Sequence, residues 1–246
     1  FCDISMVLGL TAFLGGTLYV RKEEQPNILL MFFVTSIVMA FVFFVGTITW
    51  IHGVGFVLLY FICLWWLWRT RSELVVSKLR VAKKLYKEEQ PRSFWYGKWG
   101  ALVKLGLSLL FVLGASQVSV YCAVELAHYF AMSLSVIGAT AFAVGTSLPE
   151  LSLGFAAVRR KEYALAFGNA FGSILEQGTL ILGLLAIGSG KPLQLASLRS
   201  VAPFMLVAYA VVGNSMIHRK KINRIEGAIL ILVFFAYLIY HLALMG

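Results

Sequence analysis

The chain has 246 residues, 60% of them hydrophobic and only 13% charged, with a mean hydropathy of +0.86 and a formal charge of +10. Soluble domains carry about a quarter charged residues, so the composition excludes a soluble globular protein and defines a membrane protein. The basic residues sit in short runs between apolar segments, which reads as membrane topology and not as a nucleic-acid surface.

A bilayer span needs about 20 apolar residues. In chain order that criterion gives eight expected helices, near 4–20, 28–45, 51–68, 100–127, 133–158, 164–187, 198–217 and 224–245. Turns are expected at Gly46–Thr49 and Gly188–Pro192. With alternating spans, 18 of the 21 Lys and Arg residues fall on one side, which the positive-inside rule makes cytoplasmic. Only Lys191 and Arg199 fall opposite, with Lys104 just inside a span. Residues 69–99 form the one long hydrophilic connection, a basic cytoplasmic linker in which Val75–Leu85 fits a short surface amphipathic helix as well as a solvated coil. Cys2, Cys63 and Cys122 lack metal-ligand spacing and are expected to be buried packing residues. His52, His218 and His241 lie at span ends without metal-ligand spacing, and Glu125 and His128 read as interfacial.

Two segments repeat. Asp3-Ile-Ser-Met-Val-Leu-Gly-Leu matches Gln177-Gly-Thr-Leu-Ile-Leu-Gly-Leu, and Ile51-His52-Gly53 matches Ile225-Glu226-Gly227. The first copy opens a helix entering from outside and the second lies on one leaving the cytoplasm, so the copies are inverted. Inverted repeats mark many secondary transporters, whose substrate sites lie at the repeat interface near the bilayer midplane. The second copy has two helices without counterparts, and two further helices are expected before Phe1. The expected fold is therefore an all-α polytopic membrane protein with an inverted-repeat transporter fold, showing eight of ten helices (5+5). Its expected parts are 1–68, the rest of the first repeat, the linker 69–99, and 100–246, the second repeat.

The chemistry concentrates in Gly145-Thr-Ser-Leu-Pro-Glu-Leu151. Pro149 has no N–H, so the Gly145 carbonyl loses its helical partner. Bare backbone in a membrane is tolerated only where it lines an enclosed cavity. Thr146, Ser147 and Glu150 fall on one helical face, offering a carboxylate and two hydroxyls beside free carbonyls, a hard-oxygen set suited to Ca²⁺ and Na⁺. A buried, protonated structural acid is the alternative for Glu150. On the next span Asn169, Ser173 and Gln177 recur every four residues, as a ligand-facing stripe or as interhelical hydrogen bonding. Glu176 beside them is either a second titrating group or a residue facing the cytoplasmic end.

Gly145-Thr-Ser-Leu-Pro-Glu150, followed by Gly168-Asn169-x-x-Gly172-Ser173, resembles the repeat motifs of the sodium/calcium exchanger family of the cation/Ca²⁺ antiporter superfamily. The resemblance implies Glu150 as the central cation carboxylate. It also implies Thr146, Ser147 and the Ala143 carbonyl as companions, and Ser173 and Gln177 as partners on the following helix. Asp3 takes the equivalent place in the first repeat. Ile174 stands where the family has Asn, and Gln177 where it has Asn or Asp. The expected activity is antiport of Ca²⁺ against Na⁺, with H⁺ as the alternative coupling ion, in a cell (plasma or inner) membrane. No cofactor and no nucleic acid are expected. No zinc, Ser/His or phosphate-loop motif supports an enzyme; a transport-inactive scaffold is the remaining alternative.

Overall fold

The computed structural model describes residues 1–70, 98–194 and 198–245. The surface helix considered for Val75–Leu85, and nearly all of the basic linker, lie outside the described residues. Eight helices follow in order among the described residues. They are α1 (Asp3–Gly15), α2 (Gln25–Val45), α3 (Trp50–Arg69), α4 (Lys98–Tyr129), α5 (Leu134–Ile137 continuing through Gly138–Phe142 and Ala143–Arg159), α6 (Tyr163–Gly188), α7 (Leu198–Asn214 with a last turn Ser215–Arg219) and α8 (Arg224–Met245). Seven are long and apolar enough to cross a membrane, and α1 is shorter.

The α1 helix corrects the expected 4–20 span. It ends at Gly15 because Gly16 takes φ +104°, a conformation that side chains resist. The chain then runs extended, and Leu18–Tyr19 pairs antiparallel with Lys221–Ile222 of the α7–α8 connection. On the opposite side Thr47–Ile48 pairs with Leu193–Gln194. The two small ladders join α1–α2 to α7–α8 and α2–α3 to α6–α7, an exchange that an inverted two-fold relation between α1–α3 and α6–α8 requires.

The same relation governs the helix crossings at a constant offset of 174 residues, Gly9 to Gly183 and Gly53 to Gly227. A Cβ added at Gly53 would lie 2.6 Å from the Gly183 carbonyl, and one at Gly227 would lie 2.8 Å from the Gly9 carbonyl. Lipid supplies no hydrophobic drive between helices, so close backbone approach at small residues carries their packing. The α3/α6 and α1/α8 crossings are therefore one contact made twice. Helix starts repeat as well. At α3 the Thr49 N–H donates to His52 Nδ1 (3.2 Å); at α8 the Asn223 N–H donates to Glu226 Oε2 (2.7 Å), and the Glu226 N–H donates to Asn223 Oδ1 (3.0 Å). These are capping boxes at equivalent positions with different chemistry.

Burial is uneven. The central helix α6 carries Phe167 and Phe171, fully buried and stacked at 6.2 Å. The most apolar window of α4 has no buried residue, and Ala127 near its end is buried. Cys2 and Cys63 are buried as expected, but Cys122 is exposed because it lies on α4. Glu125 and His128 are exposed near the end of the same helix.

Candidate cation site

The site forms where three helices leave regular winding. In α1, α5 and α6 the backbone adopts i→i+5 hydrogen bonding over Asp3–Val7, Gly138–Phe142 and Glu176–Ile181. Such π turns shift the side-chain register and collect at functional sites. The α1 and α6 turns hold the repeat-equivalent residues Asp3 and Gln177.

These turns bring Asp3, Ser147 and Gln177 together from positions far apart in sequence. Ser147 Oγ donates to Asp3 Oδ1 (2.7 Å) and Gln177 Nε2 donates to Asp3 Oδ2 (2.8 Å). Asp3 is 1% exposed, and its two carboxylate oxygens are held by one buried donor, Ser147, and one exposed donor, Gln177. On the neighbouring turn of α5, Asn169 Nδ2 of α6 donates to the Glu150 carbonyl (2.8 Å). That bond ties α6 to the turn that follows Pro149. The Glu150 side chain is partly buried, and its Oε2 is buried without a hydrogen-bond partner among the described residues.

The remaining expected residues arrange differently. Thr146 does not share the buried face of Ser147. Its hydroxyl turns back onto its own helix, donating to Phe142 O (2.9 Å) and Ala143 O (3.2 Å). Ala143 O is thus engaged by Thr146, a local bond that Ser and Thr in helices readily make. Ser173 is buried on α6, one turn before Gln177. Glu176 is exposed and lies toward α3, near Tyr60. The stripe on α6 does make interhelical hydrogen bonds, through Asn169 and Gln177.

A cavity of about 480 Å³ adjoins these groups, lined by Thr146, Ser147 and Gln177 at one end and by Gly138, Val201 and His241 at the other. The latter three lie near the N-terminal ends of α5 and α7 and near the C-terminal end of α8. Tyr209 of α7 also lines it, its ring 5.2 Å from that of Phe32. Sequence spacing did not single out Tyr209 or His241, because each stands alone on an apolar helix. Among the described residues no three His, Cys, Asp or Glu side chains converge as a metal cluster. The donor set is two carboxylates with hydroxyl, amide and carbonyl oxygens, chemistry that fits a hard cation and not a thiolate- or imidazole-bound metal.

An inverted repeat, broken helical winding at equivalent points and oxygen donors between the halves define a multi-pass membrane protein with a transporter fold. Residues 1–69 and 100–243 match the family described as sodium/calcium exchanger protein, and the chain belongs to that family. It is 34% identical over 142 residues to the putative antiporter CaxA of Alkalimonas amylolytica, covering 56% of this chain and 44% of that one. It is 34% identical over 218 residues to the inner membrane protein YrbG of Escherichia coli K12, covering 84% of this chain and 63% of that one. The chain thus spans less than two thirds of the length of these two relatives. Among solved structures, the sodium-calcium exchanger NCX_Mj soaked with 2.5 mM Na⁺ and 10 mM Sr²⁺ superposes with a TM-score of 0.63 at 26% identity. All of this chain and 73% of that one are covered.

Proposed function

We propose that this protein is a secondary antiporter that exchanges Ca²⁺ for Na⁺ by alternating access, in a cell (plasma or inner) membrane. The observation that carries the reading is the Asp3–Ser147–Gln177 link, with Glu150, its Oε2 buried without a partner among the described residues, one turn along α5 from Ser147. A carboxylate at mid-bilayer costs about 2.5–3.5 kcal/mol on insertion scales. Two of them set against hydroxyl and amide oxygens at a repeat interface are explained by a cation that offsets their charge.

Glu150 is the principal ligand in this reading, because its buried oxygen is engaged by no donor. Asp3 is the second carboxylate. Ser147, Gln177, Ser173 and the Thr146–Ala143 pair supply neutral oxygens as the site closes. Residues 1–68 and 100–246 act as the two inverted halves, joined through 69–99. The Gly9/Gly227 and Gly53/Gly183 crossings are the rigid contacts around which the site rearranges. Sodium competes for the same oxygens as the coupling ion, and the family that the chain belongs to supports that choice over H⁺.

Uptake of ⁴⁵Ca²⁺ into vesicles carrying the intact protein, under an imposed Na⁺ or H⁺ gradient, tests both parts. A Na⁺ gradient is expected to drive uptake, and Glu150→Gln is expected to abolish it with membrane insertion unchanged. Uptake by Glu150→Gln at the unmutated rate removes Glu150 from the site. Uptake that follows only the H⁺ gradient replaces Na⁺ as the coupling ion.

A further inference from the structure

We propose that a cavity between α2 and α7 is a binding site for one acyl chain of a membrane lipid. The two helices are partners in the inverted repeat. The 174-residue offset of the glycine crossings carries α2, Gln25–Val45, onto residues 199–219 of α7, and sets Met31 on Met205 and Val38 on Val212. It also relates Phe32 to Leu206 and Met39 to Gly213.

One of the two contacts related in this way is filled. Phe32 is 6% exposed and its ring sits on Gly213, where an added Cβ would lie 2.9 Å from Cζ. Tyr209 flanks the ring at 5.2 Å. The glycine opens a seat, and the phenyl ring occupies it. At the related contact Leu206 stands in place of the ring and Met39 in place of the glycine. Leu206 is 70% exposed, and Met39 turns toward α6, its Cε 3.1 Å from where a Cβ on Gly178 would lie. Neither side chain fills the space between the helices. A cavity of about 200 Å³ remains there, lined by Met39, Phe43 and Phe44 of α2 and by Ala202, Met205 and Leu206 of α7.

The chemistry of the walls suits hydrocarbon and not water. Ser36 and Tyr209 are the only wall residues with polar side chains. Ser36 Oγ donates to Phe32 O (2.7 Å), and Tyr209 Oη is buried. An enclosed water needs two to four polar partners, whereas an apolar cavity of about 150 Å³ stays dry and takes up benzene. Met39 and Met205 add unbranched, adaptable walls. Both helices are apolar enough to cross the membrane, so the medium outside the cavity is bilayer hydrocarbon. Phe44, 81% exposed, and Leu206 stand between that medium and the cavity. What Phe32 supplies from within the chain on one side, an acyl chain supplies from the bilayer on the other. Met39, Met205 and Tyr209 also line the cation cavity, and Met39 abuts the neighbour of Gln177. An acyl chain in place therefore braces the wall that the two cavities share.

Lipid occupancy does not depend on the transported ion, so its test is separate from that of antiport. The probe is phosphatidylcholine carrying a diazirine in one acyl chain, photolysed with the purified protein in detergent, and the labelled residues are mapped by mass spectrometry. Labelling of residues 36–44 and 202–209 is expected to saturate and to be competed by unlabelled phosphatidylcholine. Labelling of the exposed residues 105–113 of α4 is expected to rise in proportion to the probe. Leu206→Phe restores the ring that Phe32 supplies in the other half, and is expected to reduce the saturable labelling about tenfold with α4 unchanged. Ala202→Leu is a second filling variant should the first not fold. Labelling of α2 and α7 that never saturates, or saturable labelling that survives filling, overturns the site. Absence of label there while α4 is labelled also overturns it, and means that protein closes the cavity, a second copy of this chain included.

Discussion

Replacing Asp3 by asparagine separates a structural carboxylate from a cation ligand, because the two roles predict opposite things. Asp3 accepts from Ser147 Oγ at 2.7 Å and from Gln177 Nε2 at 2.8 Å. Hydrogen bonds to a charged group contribute about 1.5–3 kcal/mol and neutral ones about 0.5–1.5, so Asp3→Asn forfeits roughly 2–3 kcal/mol over two bonds. It also removes the burial of a carboxylate in the membrane, a relief of about 2.5–3.5 kcal/mol. The terms nearly cancel, and the cation-free protein is expected to melt within about 1 kcal/mol of the unmutated one. Binding behaves differently. At a Ca²⁺ concentration of 100 Kd a ligand stabilises its protein by about 2.7 kcal/mol. A hundredfold weaker Kd leaves only about 0.4 kcal/mol of that. A thermal-shift titration of the detergent-solubilised protein with Ca²⁺ reads both quantities. A full Ca²⁺-induced shift in Asp3→Asn would refute Asp3 as a ligand. A stability several kcal/mol lower without Ca²⁺ would show that the hydrogen bonds outweigh the burial.

The glycine crossings give a test of the inverted repeat. Gly53→Ala and Gly183→Ala force a Cβ to 2.6 and 2.7 Å from a carbonyl oxygen, and each is expected to cost about 1–3 kcal/mol. Gly106→Ala on α4, with nothing within 4 Å, is expected to be neutral, and equal melting of all three would refute the close approach. Glu226→Ala removes the α8 capping bond and the 3.2 Å pair with Arg219, for an expected loss of about 1 kcal/mol in the same assay. Lys22→Cys and Lys191→Cys are expected to react with an impermeant thiol reagent from opposite sides of the membrane; reaction from one side would reject the topology.

The spans were legible because hydropathy is a local property. The repeat was legible because each close crossing needs a glycine on both helices, which stamps Leu-Gly-Leu into both copies. The end of α1 was not legible, since the extended Leu18–Tyr19 segment owes its pairing to Lys221–Ile222, some two hundred residues away. The candidate residues were legible as types, and Asp3, Ser147 and Gln177 do meet. Their geometry was not, because α5 turns Ser147 inward while Thr146 bonds its own helix. His241 read as one more histidine at a span end, since nothing in its neighbourhood of sequence reports that both nitrogens are buried without a partner among the described residues.

The repeat is symmetric in backbone but not in charge, and that asymmetry is itself testable. Asp3 and Gln177 occupy equivalent positions, and they bond to each other, an amide donor against a carboxylate. Gln177→Asp replaces that donor with a second carboxylate. Two such groups about 4 Å apart repel by roughly 4 kcal/mol at an effective dielectric of 20, a repulsion that a divalent ion between them relieves. A divalent ion is therefore held more tightly than in the unmutated protein, and a proton shared by the two carboxylates removes that advantage. Ca²⁺ affinity of Gln177→Asp, measured by thermal shift from pH 8.5 down to 5.5, is therefore expected to start higher and fall more steeply than that of the unmutated protein. A flat difference across the whole range would mean that residue 177 does not share the cation with Asp3.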